Sequence, residues 1–321
     1  MVDPVDEFPG VTLGILNKNG LARLQKCLPS ILRLDYPDLE ILVVDYGSTD
    51  GCIELLEGFP GIRVVRLTGD FNLPRGRNTL VREARRPFFF MCDNDIEIPD
   101  PGLLRHLMAC HRRLPDVAFI SPLLLNVGSE WLDDVGLSLT RVQRRQRLSR
   151  VRGHGPIEAC GHYGNCALFP RDLYFELGPS DERYPYHNDD YDLATHAHLR
   201  GYHVLIDTDS YVIHHGVAAR VDVEPASWRQ RYHLCSMSRT VWKYYRAPNL
   251  ALWWPLVAGR IGFKALRLAW QGGSWKPVAA YCRSFATFLG DLPDTLRERR
   301  RIQRERRVPR DEFLRIRPAA F

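Results

Sequence analysis

Two carboxylates flank one amide at Asp93-Asn94-Asp95, directly after the apolar run Phe88-Phe89-Phe90-Met91-Cys92. Charges that end a buried strand cost free energy unless they are solvated or paired. They either mark where the chain surfaces or hold a cation there. Paired carboxylate oxygens suit a hard divalent ion, Mn2+ or Mg2+, which completes its shell with water and phosphate oxygens. Such an ion neutralises the charge that builds on a departing diphosphate. A second acidic cluster, Asp189-Asp190 with Asp192, opens a run of helical character. There the helix dipole and free backbone N–H groups hold a carboxylate ionised, the state a general base needs. The plain alternative is a set of helix N-cap residues. Cys160, His162 and Cys166, with His154 upstream, raise the thought of zinc, but their spacing is not that of a ribbon or finger.

The elements around these residues alternate. "GVTLGILN" and "LEILVVD" are apolar strand-like runs, the second nearly continuous as in a strand buried on both faces. "LARLQKCLPSILRL", "CIELLEGF" and "GRNTLVREA" have helical spacing, and "IRVVRLT" and "PFFFMCD" are further strands. Strand–helix alternation with short links predicts a mostly parallel sheet with helices on both faces, and ligands bind beyond the carboxyl ends of its strands. Asn17, Asp45 and Asp93 each stand at such an end. "VAFISPLLL", "HVLID" and "SYVIHH" are predicted strands, and a helix is expected from about Tyr191 to Arg200. The character of the chain changes near residue 218, beyond which the pattern is mainly helical.

The 321 residues, 45% apolar, suffice for one large domain or two modest ones. Eight scattered cysteines without a CxxC pair favour reduced thiols and a cytoplasmic setting. The acidic, polar start "MVDPVDEFPG" excludes a signal peptide at this end. Of the net charge of +6, ten arginines against four acids between Arg297 and Arg317 carry all. That tail suggests an anionic membrane surface, and the arginine cluster at 141–153 a phosphate-contacting loop, against the plain reading of solvated faces. No nucleic-acid motif accompanies the charge. In 250–270, Arg260, Lys264 and Arg267 share one face near Trp253, Trp254, Phe263 and Trp270. This suits either a helix lying in a membrane interface or an ordinary amphipathic helix packed on the domain, and the uncharged run is too short to span a bilayer.

"VTLGILNKNG", "EILVVDYGSTDG", "NLPRGRNTLVREA", "FFFMCDNDIEIPD" and "DDYDLATH…GYHVLID…YVIHHG" occur in this order over roughly residues 10–218. Together they resemble the family 2 glycosyltransferases, inverting and metal-dependent enzymes, and the opening is similar to the subgroup that contains rhamnosyl- and galactofuranosyl-transferases. The resemblance implies an α/β, GT-A fold, Rossmann-like, with a mostly parallel central sheet and a helical C-terminal extension. Residues 1–218 would form the transferase domain, with a nucleotide-sugar half over about 1–130 and an acceptor half over about 131–218, and 219–321 a basic helical region.

Carried over by position, Leu16, Asn17 and Asp45 would face the nucleotide base, and Arg77 and Asn78 the nucleotide or diphosphate. Asp93, with Asn94, would reach the ribose or metal. Asp95 would be the principal Mn2+ or Mg2+ ligand, with His214 the second and His215 its alternative. Asp190 would be the base, with Asp189 its close rival, and Gly161, Tyr163 and Gly164 would lie on the acceptor side. Asp189 stands where the family has Glu, His196 where it has Arg, and Tyr46 where Asp or Asn is common. The implied partners are a UDP-, dTDP- or GDP-linked sugar and a glycan or lipid-linked acceptor of the cell envelope, at the cytoplasmic face of the membrane. The alternatives are an inactive sugar-nucleotide-binding partner, a sugar-1-phosphate nucleotidyltransferase, which lacks its Gly-rich loop here, and a receiver domain, which would end near 120 residues.

Overall fold

The computed structural model describes residues 8–127, 155–161, 164–183, 189–216 and 226–316. The first half alternates as its pattern predicts. β1 (Val11–Asn17), α1 (Leu21–Ile31), β2 (Leu39–Asp45), α2 (Cys52–Glu57), β3 (Ile62–Arg66), α3 (Leu73–Glu83) and β4 (Phe88–Asp93) follow one another. Short β5 (Ile96–Glu97) leads to α4 (Leu103–Arg113) and β6 (Val117–Asn126). Then come β7 (Pro156–Glu158), β8 (Cys166–Pro170), α5 (Arg171–Leu177), α6 (Asp189–Leu199) and β9 (His203–His214).

The sheet order is β3-β2-β1-β4-β8-β6-β9-β5, with β7 also on β9. β1, β2, β3, β4, β6 and β9 run one way and β5, β7 and β8 run against them. This is the expected mixed α/β sheet of mostly parallel strands. Apolar side chains of alternating residues split between its two faces, one centred on Leu13, Ile15, Phe90 and Ile120, the other on Val44, Phe89, Phe119 and Phe169.

"HVLID" and "SYVIHH", expected as two strands, form one. β9 is interrupted by a register shift between Asp207 and Tyr211. Before the shift its edge pairs with β7, after it with β5, so a single strand reaches from the flank of the sheet to its mouth.

The last third folds as α7 (Ala226–Tyr244), α8 (Ala247–Gly272), α9 (Lys276–Gly290), α10 (Leu292–Glu305) and a 3-10 turn at Glu312–Arg315. The expected boundary at 218 lies outside the described residues. Two arginines of the tail are packed into the fold while Arg297, Arg300, Arg301, Arg304, Arg307 and Arg310 stay exposed: Arg299 donates to the carbonyls of Trp242 and Tyr245, and Arg306 to Gln303, Asp311 and the carbonyls of Tyr244, Val308 and Arg310. Among the described residues no helix is long and apolar enough to cross a membrane.

Candidate active site

The carboxyl ends of β1, β2 and β4 meet in a buried polar chain. Asn94 Nδ2 donates to Asn17 Oδ1 (2.7 Å), and Asn17 Nδ2 donates to Asp45 Oδ2 (2.8 Å). Asp45 also accepts from the backbone N–H (2.8 Å) and hydroxyl (2.6 Å) of Ser48. Asp45 is wholly buried and Asn17 nearly so. A fully satisfied buried network of this kind rigidifies what stands on it, so these residues form the floor of the mouth. Gly20 is required there, because a Cβ would stand 2.2 Å from Asn17 Oδ1 and 2.3 Å from Asn94 Nδ2.

Asp93 and Asp95 rise from this floor. Arg77, from α3, brings its guanidinium to 3.7 Å from Asp93 Oδ1. Residue 164 is glycine where a Cβ would sit 2.6 Å from Arg77 Nη1, so the backbone there lies flat on that guanidinium. Leu16 packs its methyls over Gly76 of α3. Asn78, one residue beyond Arg77, is engaged by residues 174–182. Its amide donates to the Ser180 carbonyl and Glu182, and accepts from the Tyr174 hydroxyl and the Ser180 N–H. It braces α3 against residues 174–182 rather than presenting a free group to a nucleotide. Tyr46 is buried edge-on against Phe71 and donates to the Asn72 carbonyl, closing the wall beside α3.

Asp95 faces His214. The β5–β9 pairing sets Ile96 opposite His214 and brings His214 Nε2 to 3.4 Å from Asp95 Oδ1. That oxygen is buried and makes no hydrogen bond among the described residues. Gly216 completes the pocket: a Cβ there would stand 2.3 Å from Asp95 Oδ2 and 2.6 Å from His214 Nε2. A buried carboxylate oxygen without a donor, facing an imidazole nitrogen across a space kept open by glycine, fits a divalent cation. His215, just past the end of β9, engages Glu97 instead, with Nε2 2.7 Å from Glu97 Oε2.

Asp189 and Asp190 occupy the first turn of α6, and their side chains lie outside the described residues. The next two residues fix that turn. Tyr191 is buried with its ring 3.0 Å from where a Gly161 Cβ would be, and Asp192 is tied to Lys243 and Thr240 of α7. Asp192 is thereby committed to an ion pair. His196 points into the C-terminal helices, with Nδ1 against the Leu177 carbonyl and the ring beside Tyr244. Burial lowers its pKa to about 3, so it is a neutral packing group and not a replacement for a permanent charge.

Tyr163, His154, His162 and the 141–153 arginines lie outside the described residues. Cys160 packs with Tyr191 while Cys166 lies in the main core, so no shared zinc site joins these two thiols. Reading the residues alone missed Gly20, Ser48 and Gly216. "HHG" was the signal for the last: a glycine straight after a strand-ending histidine marks close approach.

A family model described as "Glycosyl transferase family 2" matches residues 12–176. The chain is 28% identical over 235 residues to the "O-antigen biosynthesis protein RfbC" of Myxococcus xanthus, covering 68% of this chain and 18% of that protein. It is 31% identical over 161 residues to the "Uncharacterized protein MT1568" of Mycobacterium tuberculosis, covering 48% and 47%. The chain thus spans less than half the length of either relative. Among solved structures, S. aureus TarS 1-349 in complex with UDP-GlcNAc superposes with a TM-score of 0.64 at 12% identity, over 95% of this chain and 89% of that one. GalNAc-T7 with UDP, GalNAc and Mn2+ superposes with a TM-score of 0.61 at 16% identity, over 90% and 57%.

Proposed function

The chain belongs to glycosyl transferase family 2, and from that membership we propose that it is an inverting, metal-assisted transferase. It would move a sugar from a nucleotide-diphosphate donor to an acceptor hydroxyl. The observation that carries this reading is the Asp95–His214 pair, with its buried donorless oxygen at the mouth of the parallel sheet. Mn2+ or Mg2+ held by Asp95 and His214 would supply charge neutralisation for the diphosphate. Arg77, beside Asp93, adds a fixed cation for the same phosphates. Asn17, Asp45 and Asn94 set the loops that hold the base, with the backbone of Leu16 beside them. Asp190, at the N-terminus of α6, takes the proton from the acceptor hydroxyl as that oxygen attacks the anomeric carbon opposite the departing diphosphate, which inverts the centre. Asp189 shares the turn, and Gly161, Tyr163 and Gly164 flank the acceptor path.

The crystallised neighbours named for UDP, UDP-GlcNAc and Mn2+ support the donor class, and the O-antigen name of the M. xanthus relative supports an envelope glycan as acceptor. The Ile15-Leu16-Asn17 opening supports a rhamnosyl- or galactofuranosyl-type transfer. A lipid-linked acceptor is favoured by α8. Leu252, Leu256, Phe263, Leu266 and Trp270 recur along one side of it and are exposed, Trp270 at 86%, with Lys264 and Arg267 exposed beside them. Trp253 and Trp254, by contrast, pack inward, and Arg260 turns to Met237. An exposed aromatic–aliphatic stripe edged by cations fits the interface of an anionic bilayer.

Two measurements test the reading. Thermal shift with UDP, GDP, dTDP and CMP, each with Mn2+ or with EDTA, is expected to show one diphosphate stabilising by about 2.7 kcal/mol at a hundredfold excess over Kd. The effect should vanish with EDTA; no shift with any nucleotide would put a non-enzymatic partner role ahead. Sedimentation with anionic liposomes at physiological salt tests α8, and protein remaining in the supernatant removes the membrane part.

A further inference from the structure

A second group of metal-ligating side chains lies away from the mouth, where β9 passes α4. His106 and Cys110 are four residues apart on α4 and share one face of it. Asp207 stands on β9 at the register shift. His106 Nε2 is 2.9 Å from Asp207 Oδ2, and Cys110 Sγ is 3.7 Å from His106 Nε2. One ligand atom from each of the three lies within 4.8 Å of the others.

Asp207 is the anomaly. It is wholly buried, Oδ2 takes both His106 and the Ser210 hydroxyl, and Oδ1 has no hydrogen-bond partner among the described residues. A wholly buried carboxylate whose partners are a half-exposed histidine and one hydroxyl is a poor stability device. It is a good ligand. From Zn–S and Zn–N bond lengths of about 2.3 and 2.05 Å, the tetrahedral S···N edge is about 3.6 Å. The observed 3.7 Å matches it, and the His106–Asp207 pair has to open by only about half an ångström.

We propose that His106, Cys110 and Asp207 bind a zinc ion that pins α4 to the bulge of β9. Thiolate, imidazole and one carboxylate are a borderline-soft set that takes Zn2+ and disfavours Mg2+ or Mn2+. The half-exposed side of His106 leaves a fourth position for water. Zinc binding displaces the thiol proton of Cys110 and any proton shared between His106 and Asp207. Asp207 precedes His214 by seven residues, which the register shift fits alongside four residues of β6, roughly 13 Å of strand, so this ion is distinct from the one at the mouth. It holds the point at which β9 changes partners before delivering His214. The proposal does not depend on glycosyl transfer.

The test uses the full chain carrying Asp95→Asn and His214→Ala, which disables the mouth, stripped with chelator and titrated with Zn2+ or Co2+ alone. One zinc per chain is expected, with a raised melting temperature, and cobalt should give a thiolate charge-transfer band. Adding Cys110→Ser should abolish the band, and adding His106→Ala should weaken zinc binding by at least tenfold while the chain stays folded by circular dichroism. If the mouth-disabled chain binds no zinc, or if the band survives Cys110→Ser, the proposal is overturned.

Discussion

Two regions of this molecule gather carboxylates, and they use them in opposite ways. In the seam between α6, α7 and α10, Asp181, Asp192 and Glu298 are matched by Arg183, Arg239 and Lys243, with contacts such as Arg183–Asp181 at 2.8 Å and Arg239–Glu298 at 3.1 Å. At the mouth, Asp95 keeps a buried oxygen without a donor opposite a histidine. Charges that match within the chain hold the helical region to the transferase fold. A carboxylate oxygen left without a hydrogen-bond donor is held ready for something the chain does not itself supply. The difference predicts which substitutions cost activity and which cost stability.

The largest expected effect is Asp190→Asn. Loss of a general base removes about 10²–10⁴-fold in kcat. The melting temperature and the metal-dependent nucleotide shift should be unchanged. Asp189→Asn should cost much less, and the reverse ranking would move the base to Asp189. Lys243→Met is expected to do the opposite. It leaves Asp192 with only the Thr240 hydroxyl in a buried seam, while Glu298 keeps Arg183 and Arg239, a loss of about 3–5 kcal/mol of stability by denaturant titration, and the nucleotide Kd of the folded protein stays constant. A loss of activity in Lys243→Met at full stability would break the division between the two regions.

Gly216→Ala sharpens it further. The added methyl falls between Asp95 and His214, so Mn2+ affinity should drop about 10–100-fold, as for losing an orienting partner, with little change in unfolding. Unaltered Mn2+ titration would show that the ion does not sit in this gap.

How much of this was legible in the sequence follows the same line. Strands buried on both faces write near-continuous apolar runs, so β1, β2 and β4 and the acids at their ends could be read directly. The pairing of Asp95 with His214 could not be derived from pattern, because 119 residues separate them and only the β5–β9 ladder joins them. Asn78 is different. It sits beside Arg77 in a motif, yet one residue along a helix is a turn of about 100°, and its amide is engaged by Ser180 and Glu182, partners the pattern does not reveal. Composition reads the tail's arginines as a membrane-facing or solvated run, and it does not reveal that one of them, Arg299, turns inward to the carbonyls of Trp242 and Tyr245.

The smallest effect concerns acid. In the seam, burial acts to raise the Asp181 carboxyl, but Arg183, Arg239 and Lys243 outweigh it and its pKa is lowered. A depressed carboxylate stabilises above its unfolded pKa and loses that contribution as pH falls through the folded one. His196 adds a second acid-sensitive group of different origin, lowered by burial from 6.5 to about 3. Between these values the unfolded chain takes a proton that the folded chain refuses, so stability falls with decreasing pH by up to ~1.4 kcal/mol per unit. His196→Gln should therefore flatten the stability profile between about pH 6.5 and 4 while leaving the steeper loss below pH 4, where Asp181 titrates. Urea unfolding of both proteins across that range decides it. Parallel profiles would mean that His196 opens to solvent and that the seam is less closed than its pairing implies.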